Sequence, residues 1–175
     1  MQMLTLNDLK RSGPAPALFA GLLLALCSGM LWAAEGARVV SPEDAIWNPD
    51  LSEADPGPMG TSEVYRVMQA EPRCSFHYTE ASPPVLVVGE TAAEGALHGL
   101  IKLHDRLVLL TPAGAKRFDQ LRVGGVLEAK GMEVRILETG EAVQLEDGQN
   151  EAPATMRFIL NQGADTGYSG FYRCT

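Results

Sequence analysis

Two of the three cysteines are placed as expected for a structural disulfide. Cys27 lies in an apolar N-terminal run, whereas Cys74 and Cys174 stand near the two ends of the remaining chain. In an oxidising compartment this pair predicts a disulfide rather than a metal ligand or a nucleophile, because neither cysteine has a Cys-x-x-Cys neighbour. The bridge would close a loop of about 100 residues and remove roughly 4–5 kcal/mol of freedom from the unfolded chain.

A second candidate for chemistry is the serine of the segment Gly167–Phe171. Ser169 lies at its centre, as in the Gly-x-Ser-x-Gly nucleophile elbow, but Phe171 replaces the last glycine. The chain order serine, acid, histidine is also impossible, because every histidine precedes Ser169. We therefore expect a terminal strand whose small residues let aromatic side chains pack.

Metal and cofactor sites are not predicted. The three histidines have no ligand-like spacing, and the acidic segment around Glu146, Asp147 and Glu151 lacks the calcium-loop pattern. Gly124 and Gly125 lack the Lys-Ser/Thr ending of a phosphate loop. The sequence thus predicts no cofactor, no metal and no enzyme activity, with the acidic segment as a solvated loop. The histidines are His77, His98 and His104.

The C-terminal aromatic cluster is the candidate binding surface. It consists of Tyr168, Ser169, Phe171 and Tyr172. Tyrosine and phenylalanine are frequent in recognition hot spots, although they also pack in β-sheet cores. We expect Tyr168 and Tyr172 to be the exposed members, since a phenolic hydroxyl prefers a polar neighbour.

The N-terminus predicts export from the cytoplasm. Lys10 and Arg11 precede an apolar run over residues 17–34. This pattern fits a cleaved signal peptide, an uncleaved membrane anchor, or a lipoprotein acylated at Cys27. We expect residues 1–34 to be this segment, and the mature chain to be periplasmic or secreted, or attached to the membrane through residues 17–34.

The remaining chain divides into a linker and one domain. Residues 35–62 hold four prolines, six acidic residues and one arginine, so we expect a disordered acidic linker with a solvated Trp47. Residues 63–175 suit a single globular domain. Its net charge is mildly negative and it has no basic stripe, which excludes nucleic-acid binding.

Strands must position the candidate residues, because apolar and polar side chains alternate through most of the domain. Gly- and Pro-rich turns separate the strands, His104 to Arg106 form a hairpin connection, and residues 115–121 suit a short helix. This pattern predicts an all-β domain, either a small antiparallel sandwich or a barrel. The predicted strands cover residues 74–79, 85–88, 97–103, 107–110, 126–129, 132–137, 142–145 and 156–160.

Two resemblances bear on function. The pattern Arg73-Cys74-Ser-Phe76, then Ile101-Lys102-Leu103, then Gly-Tyr-x-Gly-Phe-Tyr-x-Cys ending at Cys174 resembles a group of small exported proteobacterial proteins without assigned function. That resemblance implies an envelope location. The segment Ser169–Tyr172 also resembles the Ser-Gly-x-x-Tyr loop of bacterial inhibitors of c-type lysozyme, one residue short of its spacing.

Three functions follow as hypotheses. The first is a non-catalytic envelope module that binds a protein, a glycan or another envelope component. The second is a lysozyme inhibitor whose acidic domain meets a basic lysozyme surface. The third is a hydrolase that uses acidic residues or Ser169 in an unrecognised arrangement.

Overall fold

The computed structural model describes residues 37–46 and 55–175, in which eight antiparallel strands close into a β-barrel. Neighbouring strands follow one another along the chain, and the last strand pairs with the first. The all-β prediction is confirmed, and the barrel is the correct one of its two alternatives. The barrel strands are β2 (Met68–His77), β3 (Leu86–Thr91), β4 (Leu97–Leu103), β5 (Arg106–Pro112), β6 (Gly124–Ala129), β7 (Met132–Glu138), β9 (Asn150–Leu160) and β10 (Asp165–Cys174).

Five short elements complete the described fold. Strand β1 (Arg38–Val40) pairs in parallel with β5, and β8 (Val143–Gln144) pairs with β9. The helices are α1 (Pro42–Ile46), α2 (Thr61–Val67) and a 3₁₀ helix (Phe118–Leu121). The last of these falls within the predicted short helix.

Several predictions lie outside the described residues. These are the export or anchor segment over residues 1–34, the acylation site at Cys27, and the solvated Trp47. Within residues 37–46 and 55–175, no helix is both long and apolar enough to span a membrane.

Part of the predicted disordered linker is folded against the barrel. Residues 37–46 form β1 and α1, and Ala45 and Met59 are buried. The physical reason for Met59 is an apolar outer face on β3 to β5, which Met59 and, from α2, Val64 cover. Ala45 packs instead against the main core. The few apolar side chains of this segment therefore have a partner surface, which offsets the entropy of ordering it. The outer face contributes Val87, Leu100 and Leu107.

The barrel interior is filled with side chains. Inward-facing residues alternate with outward-facing ones along each strand, and Phe76, Met156 and Tyr172 are among the largest fully buried side chains. Eight-stranded barrels have interiors that side chains can fill. The inside of this barrel is thus a packed core, and any ligand site of appreciable size has to lie on its outside.

Two details of the strand prediction are informative. The hairpin prediction is confirmed, since His104 and Asp105 form the β4–β5 tip with φ of 47° and 60°. The solvated loop, in contrast, ends sooner than predicted, because β9 begins at Asn150 and Glu151 is buried. Pro153 lies in β9 just beyond the last residue pair with β7, Glu138 with Ala154, and its carbonyl oxygen accepts from the backbone N–H of Thr139 at 2.8 Å.

The predicted disulfide is present and closes the barrel. Cys74 of β2 and Cys174 of β10 are register partners with Cα atoms 4.1 Å apart. The bond joins the first barrel strand to the last. It therefore covalently fixes the one pair of barrel strands whose members are distant in sequence.

Gly170 allows β10 to approach β2 closely. A Cβ atom at this position would overlap the carbonyl oxygen of His77 and lie 2.9 Å from Cζ of Phe76. Gly167 of the same strand has open space where its Cβ would be. The small residue is therefore required at position 170 and not at position 167.

Removing the disulfide should strongly destabilise the domain. The bridge closes a loop of 100 residues, which in the chain-entropy model corresponds to roughly 4–5 kcal/mol. Denaturant unfolding of the wild type and of the Cys74→Ala/Cys174→Ala variant measures the difference. Reductant should lower the midpoint of the wild type and leave that of the variant unchanged. Equal free energies of unfolding would contradict the prediction.

The two glycines of β10 should respond differently to alanine. Gly170→Ala is expected to cost roughly 1–3 kcal/mol, because the added carbon is forced against the β2 backbone. Gly167→Ala is the matched control and should change stability by no more than about 0.5 kcal/mol. Thermal unfolding of both variants tests this pair, and similar losses for both would show that close strand approach is not the cause.

Candidate functional site

A groove of about 170 Å³ lies on the outside of the barrel. Its floor is the outward face of β2 and β10, and residues of α2 and of the segment before β3 form its sides. The apolar lining comes from Val64, Pro84 and Val87. The polar lining comes from Thr61, Arg73, Ser75, His77, Gln149, Arg173 and Thr175.

Strand alternation places the polar floor residues. Cys74 and Phe76 point into the barrel, so Arg73, Ser75 and His77 share the outer face of β2. The disulfide register sets Arg173 of β10 directly beside Ser75. One serine is thereby surrounded by one imidazole and two guanidinium side chains.

Ser75 and His77 form a directed hydrogen bond. The His77 Nδ1 lies 2.7 Å from the carbonyl oxygen of Ser82, and its Nε2 lies 2.8 Å from Oγ of Ser75. A carbonyl oxygen only accepts, so the proton of the neutral ring is on Nδ1. Nε2 then carries a lone pair and accepts the hydroxyl proton of Ser75.

The surroundings of His77 favour its neutral form. Burial of the ring is the largest cause of its lowered pKa, and the positive charge of Arg173 lowers the pKa further. The hydrogen bond to Ser82 and the charge of Glu151 act in the opposite direction. The net result is a pKa below the ordinary value of 6.5, so His77 is a proton acceptor at neutral pH.

The two arginines of the groove are held differently. Arg173 pairs with the buried carboxylate of Glu151 and donates to the carbonyl oxygen of Glu80 at 2.6 Å. Arg73 lies over the ring of Tyr65, with its guanidinium carbon 4.8 Å from the ring centroid, and donates to the Tyr65 hydroxyl at 3.3 Å. No carboxylate of the described residues pairs with Arg73. Its charge remains available to a ligand.

The predicted aromatic surface is divided between the two faces of β10. Tyr168 and Tyr172 are on the inward face, whereas Ser169 and Phe171 point outward. The prediction that Tyr172 is exposed is wrong: its side chain is 1% exposed. Its hydroxyl finds the polar partner it needs within the core, the carbonyl oxygen of Leu121 at 2.9 Å. These four residues therefore cannot form one surface or enter a partner's cleft together.

Tyr168 instead fastens the chain ahead of α2 to the barrel. Its ring packs against Tyr78 with centroids 5.3 Å apart, and its hydroxyl donates to the carboxylate of Asp55. Tyr78 donates to the carbonyl oxygen of Pro56 at 2.8 Å. Burial, together with the charge of Asp55, raises the pKa of Tyr78 to about 12. Both hydroxyls thus stay protonated and serve as structural donors.

The groove residues were missed by the sequence analysis, although a signal was present. Given the disulfide, alternation places Ser75 and Arg173 side by side on the outer face, and His77 two residues further along. The sequence predicts Glu151 in a solvated loop, and this is wrong, because Glu151 is 5% exposed and paired with Arg173. Only the strand register reveals this pair.

The groove places a hydroxyl that is hydrogen-bonded to an imidazole beside two guanidinium groups, and these residues are not grouped as metal ligands. Over residues 37–46 and 55–175, no three His, Cys, Asp or Glu side chains come together as metal ligands would. The arginines and hydroxyls are hydrogen-bond donors, which suits an anionic or carbonyl-bearing ligand.

Comparison with known proteins gives a family and no activity. The family model described as "Domain of unknown function (DUF6692)" matches residues 29–175. No curated protein and no solved structure matches the chain.

Protonation of His77 should destabilise the fold. Because the folded-state pKa is below the unfolded value, the unfolded chain binds the proton more readily, and stability falls as pH drops below about 6.5. Urea unfolding at a series of pH values between 7 and 5 measures this loss. His77→Gln should flatten the dependence, whereas His98→Gln on β4 should retain it. The same slope in all three proteins would contradict the assignment.

Proposed function

We propose that this chain, which belongs to the family described as "Domain of unknown function (DUF6692)", is an exported envelope module that binds a carboxylate-bearing component. The ligand site is the groove between α2 and the β2–β10 face. The observation that carries the proposal is the placement of Arg73 and Arg173 on either side of Ser75 in one open groove. Guanidinium groups bind carboxylates through paired hydrogen bonds.

The local charge favours a single negative charge on the ligand. Counted over side chains alone, two guanidinium groups and the carboxylate of Glu151 leave the groove with one net positive charge, since His77 is neutral at neutral pH. The protein as a whole carries a formal net charge of −8. A cationic groove on an acidic molecule attracts an anion locally while the remaining surface repels it. A carboxylate fits this balance better than a doubly charged phosphate.

The size of the groove also limits the ligand. A volume of about 170 Å³ is that of five or six water molecules, at about 30 Å³ each. This space accepts a carboxylate with a short carbon chain, while the rest of a larger molecule remains outside. Val64, Pro84 and Val87 provide apolar contacts for that chain. The end of a peptide, or an acidic sugar, has this form.

The envelope location is supported by two independent features. Lys10 and Arg11 precede the apolar run over residues 17–34, which is the pattern of an export segment. The disulfide between Cys74 and Cys174 is of the kind that persists in oxidising compartments. Together they support a ligand from the cell envelope, such as a peptide or a glycan.

Binding should depend on a free carboxylate. We expect the full-length protein to bind acetyl-Ala-Ala as the free acid and to bind its C-terminal amide at least tenfold more weakly. Hydrogen bonds to charged groups contribute about 1.5–3 kcal/mol, and 1.4 kcal/mol is a tenfold change in affinity. Chemical shift perturbation of backbone amides in β2, β10 and α2 measures both affinities.

Two variants test whether the carboxylate binds in the groove. Arg73→Gln should weaken binding of the acid by roughly tenfold or more, because a guanidinium that lines the groove is removed. Arg157→Gln is the matched control, since Arg157 lies on β9 and pairs with Asp165 outside the groove. Equal affinity for acid and amide, or an equal effect of both variants, would refute the carboxylate site.

A further inference from the structure

We propose that Ser75 is a nucleophile activated by His77, and that the groove cleaves a carboxylic ester by way of an acyl-serine intermediate. This inference goes beyond binding and departs from the expectation that the chain is not an enzyme. It rests on the proposed function for one element only, the recognition of the ligand's carboxylate by Arg73. The serine concerned is not the Ser169 of the partial elbow pattern.

The first argument is the arrangement of nucleophile, base and orienting group. Oγ of Ser75 lies 2.8 Å from Nε2 of His77, and Nδ1 of His77 lies 2.7 Å from the carbonyl oxygen of Ser82. A serine is activated by a base within hydrogen-bond reach, provided that a third group holds the base in the correct tautomer. Here a backbone carbonyl does this in place of a carboxylate.

The second argument is the state of the base. His77 is 7% exposed, and burial lowers its pKa. The charged groups acting on it are Arg173 of β10 and Glu151 of β9, which are paired with each other. Their effects on the ring largely oppose one another, so burial decides its state. His77 can therefore accept a proton at neutral pH, as a general base must.

The third argument is the position of the cations. Arg73 precedes Ser75 by two residues on the same strand face, which is about 7 Å in an extended chain. Arg173 is the register partner of Ser75 on β10. With Arg73 on the ligand's carboxylate, the guanidinium of Arg173 is the donor placed to stabilise the negative charge that develops on a carbonyl oxygen when Ser75 attacks. The serine also lines the open groove, where a substrate can reach it.

The chemical step balances with groups that are present and water. Oγ of Ser75 bonds to the ester carbonyl carbon while its proton passes to Nε2 of His77. The bond from that carbon to the alkoxy oxygen then breaks, and His77 returns the proton to the departing alcohol. Water attacks the acyl-serine in the same way, which releases the acid and restores the Ser75 hydroxyl.

The competing explanation is structural. The Ser75–His77–Ser82 hydrogen bonds also hold the segment between β2 and β3 in place. Both explanations predict that the geometry exists. Only the catalytic one predicts that Ser75 reacts with an electrophile faster than an exposed serine does.

A fluorophosphonate probe on the full-length protein separates the two. Attack by Oγ of Ser75 forms a P–O bond and expels fluoride, leaving a stable adduct. We expect one adduct per chain by intact mass, located on Ser75 by peptide mapping, and none in Ser75→Ala. His77→Gln should slow labelling at least tenfold, since general-base catalysis contributes about 10²–10⁴-fold. The labelling rate should rise with pH as His77 loses its proton and then level off.

Ser169→Ala is the matched control. Ser169 is exposed on the outer face of the neighbouring strand and should be dispensable for labelling. Near-ultraviolet circular dichroism of each variant checks that its fold is intact. Absence of an adduct, an adduct shared among several serines, or unchanged labelling of folded His77→Gln would overturn the inference. Labelling of Ser75 without carboxylate binding would support the nucleophile and refute the proposed function. Carboxylate binding without labelling of Ser75 would refute the nucleophile and support the proposed function.

Discussion

The pairing of β2 with β10 is the interaction on which the remaining structure depends. All other barrel pairs join strands that are neighbours or near neighbours along the chain, but this pair joins the first strand to the last. The Cys74–Cys174 bond fixes the pair covalently and in a single register. A slip of one residue would turn every side chain to the opposite face. The β2–β10 register therefore determines both which side chains of these two strands fill the core and which of them line the groove.

The packed interior explains why the chemistry lies outside. Phe76 and Tyr172 fill the barrel beneath the groove, so polar side chains can gather only on the outer surface. That surface nevertheless buries His77 and Glu151, because α2 and the segment after β2 add a partial second layer. Partial burial strengthens charge interactions relative to open water. A solvent-facing sheet thereby acquires a protected polar site.

Much of the fold could be predicted from the sequence, whereas the site could not. Alternation and turn residues identify the strands, and the His104–Asp105 hairpin tip follows from local signals. The disulfide follows from composition and compartment. The four C-terminal residues predicted as one binding surface do not form one, because successive side chains of β10 lie on opposite faces, with Tyr172 inward and Phe171 outward. Ser75 and Arg173 are almost 100 residues apart, and no local pattern connects such residues without the register.

The sequence also could not predict that the outer face of β3 to β5 is covered. Met59 is an isolated apolar residue in an acidic, proline-rich segment, which by composition alone is a linker. It is buried because Val87, Leu100 and Leu107 offer a matching surface, and that surface exists only after the barrel has formed. Tertiary contacts overrode composition here.

Closure by the first and last strands has a consequence for the timing of folding. Neither the barrel nor the groove can be completed until β10 is available, since Arg173 and the closing cysteine both belong to it. Long-range pairing of this kind is slow, because loop-closure entropy is lost before the contacts form. Until β10 has been synthesised, the edge of β2 therefore stays unpaired, and Cys74 lacks the cysteine with which it forms its disulfide.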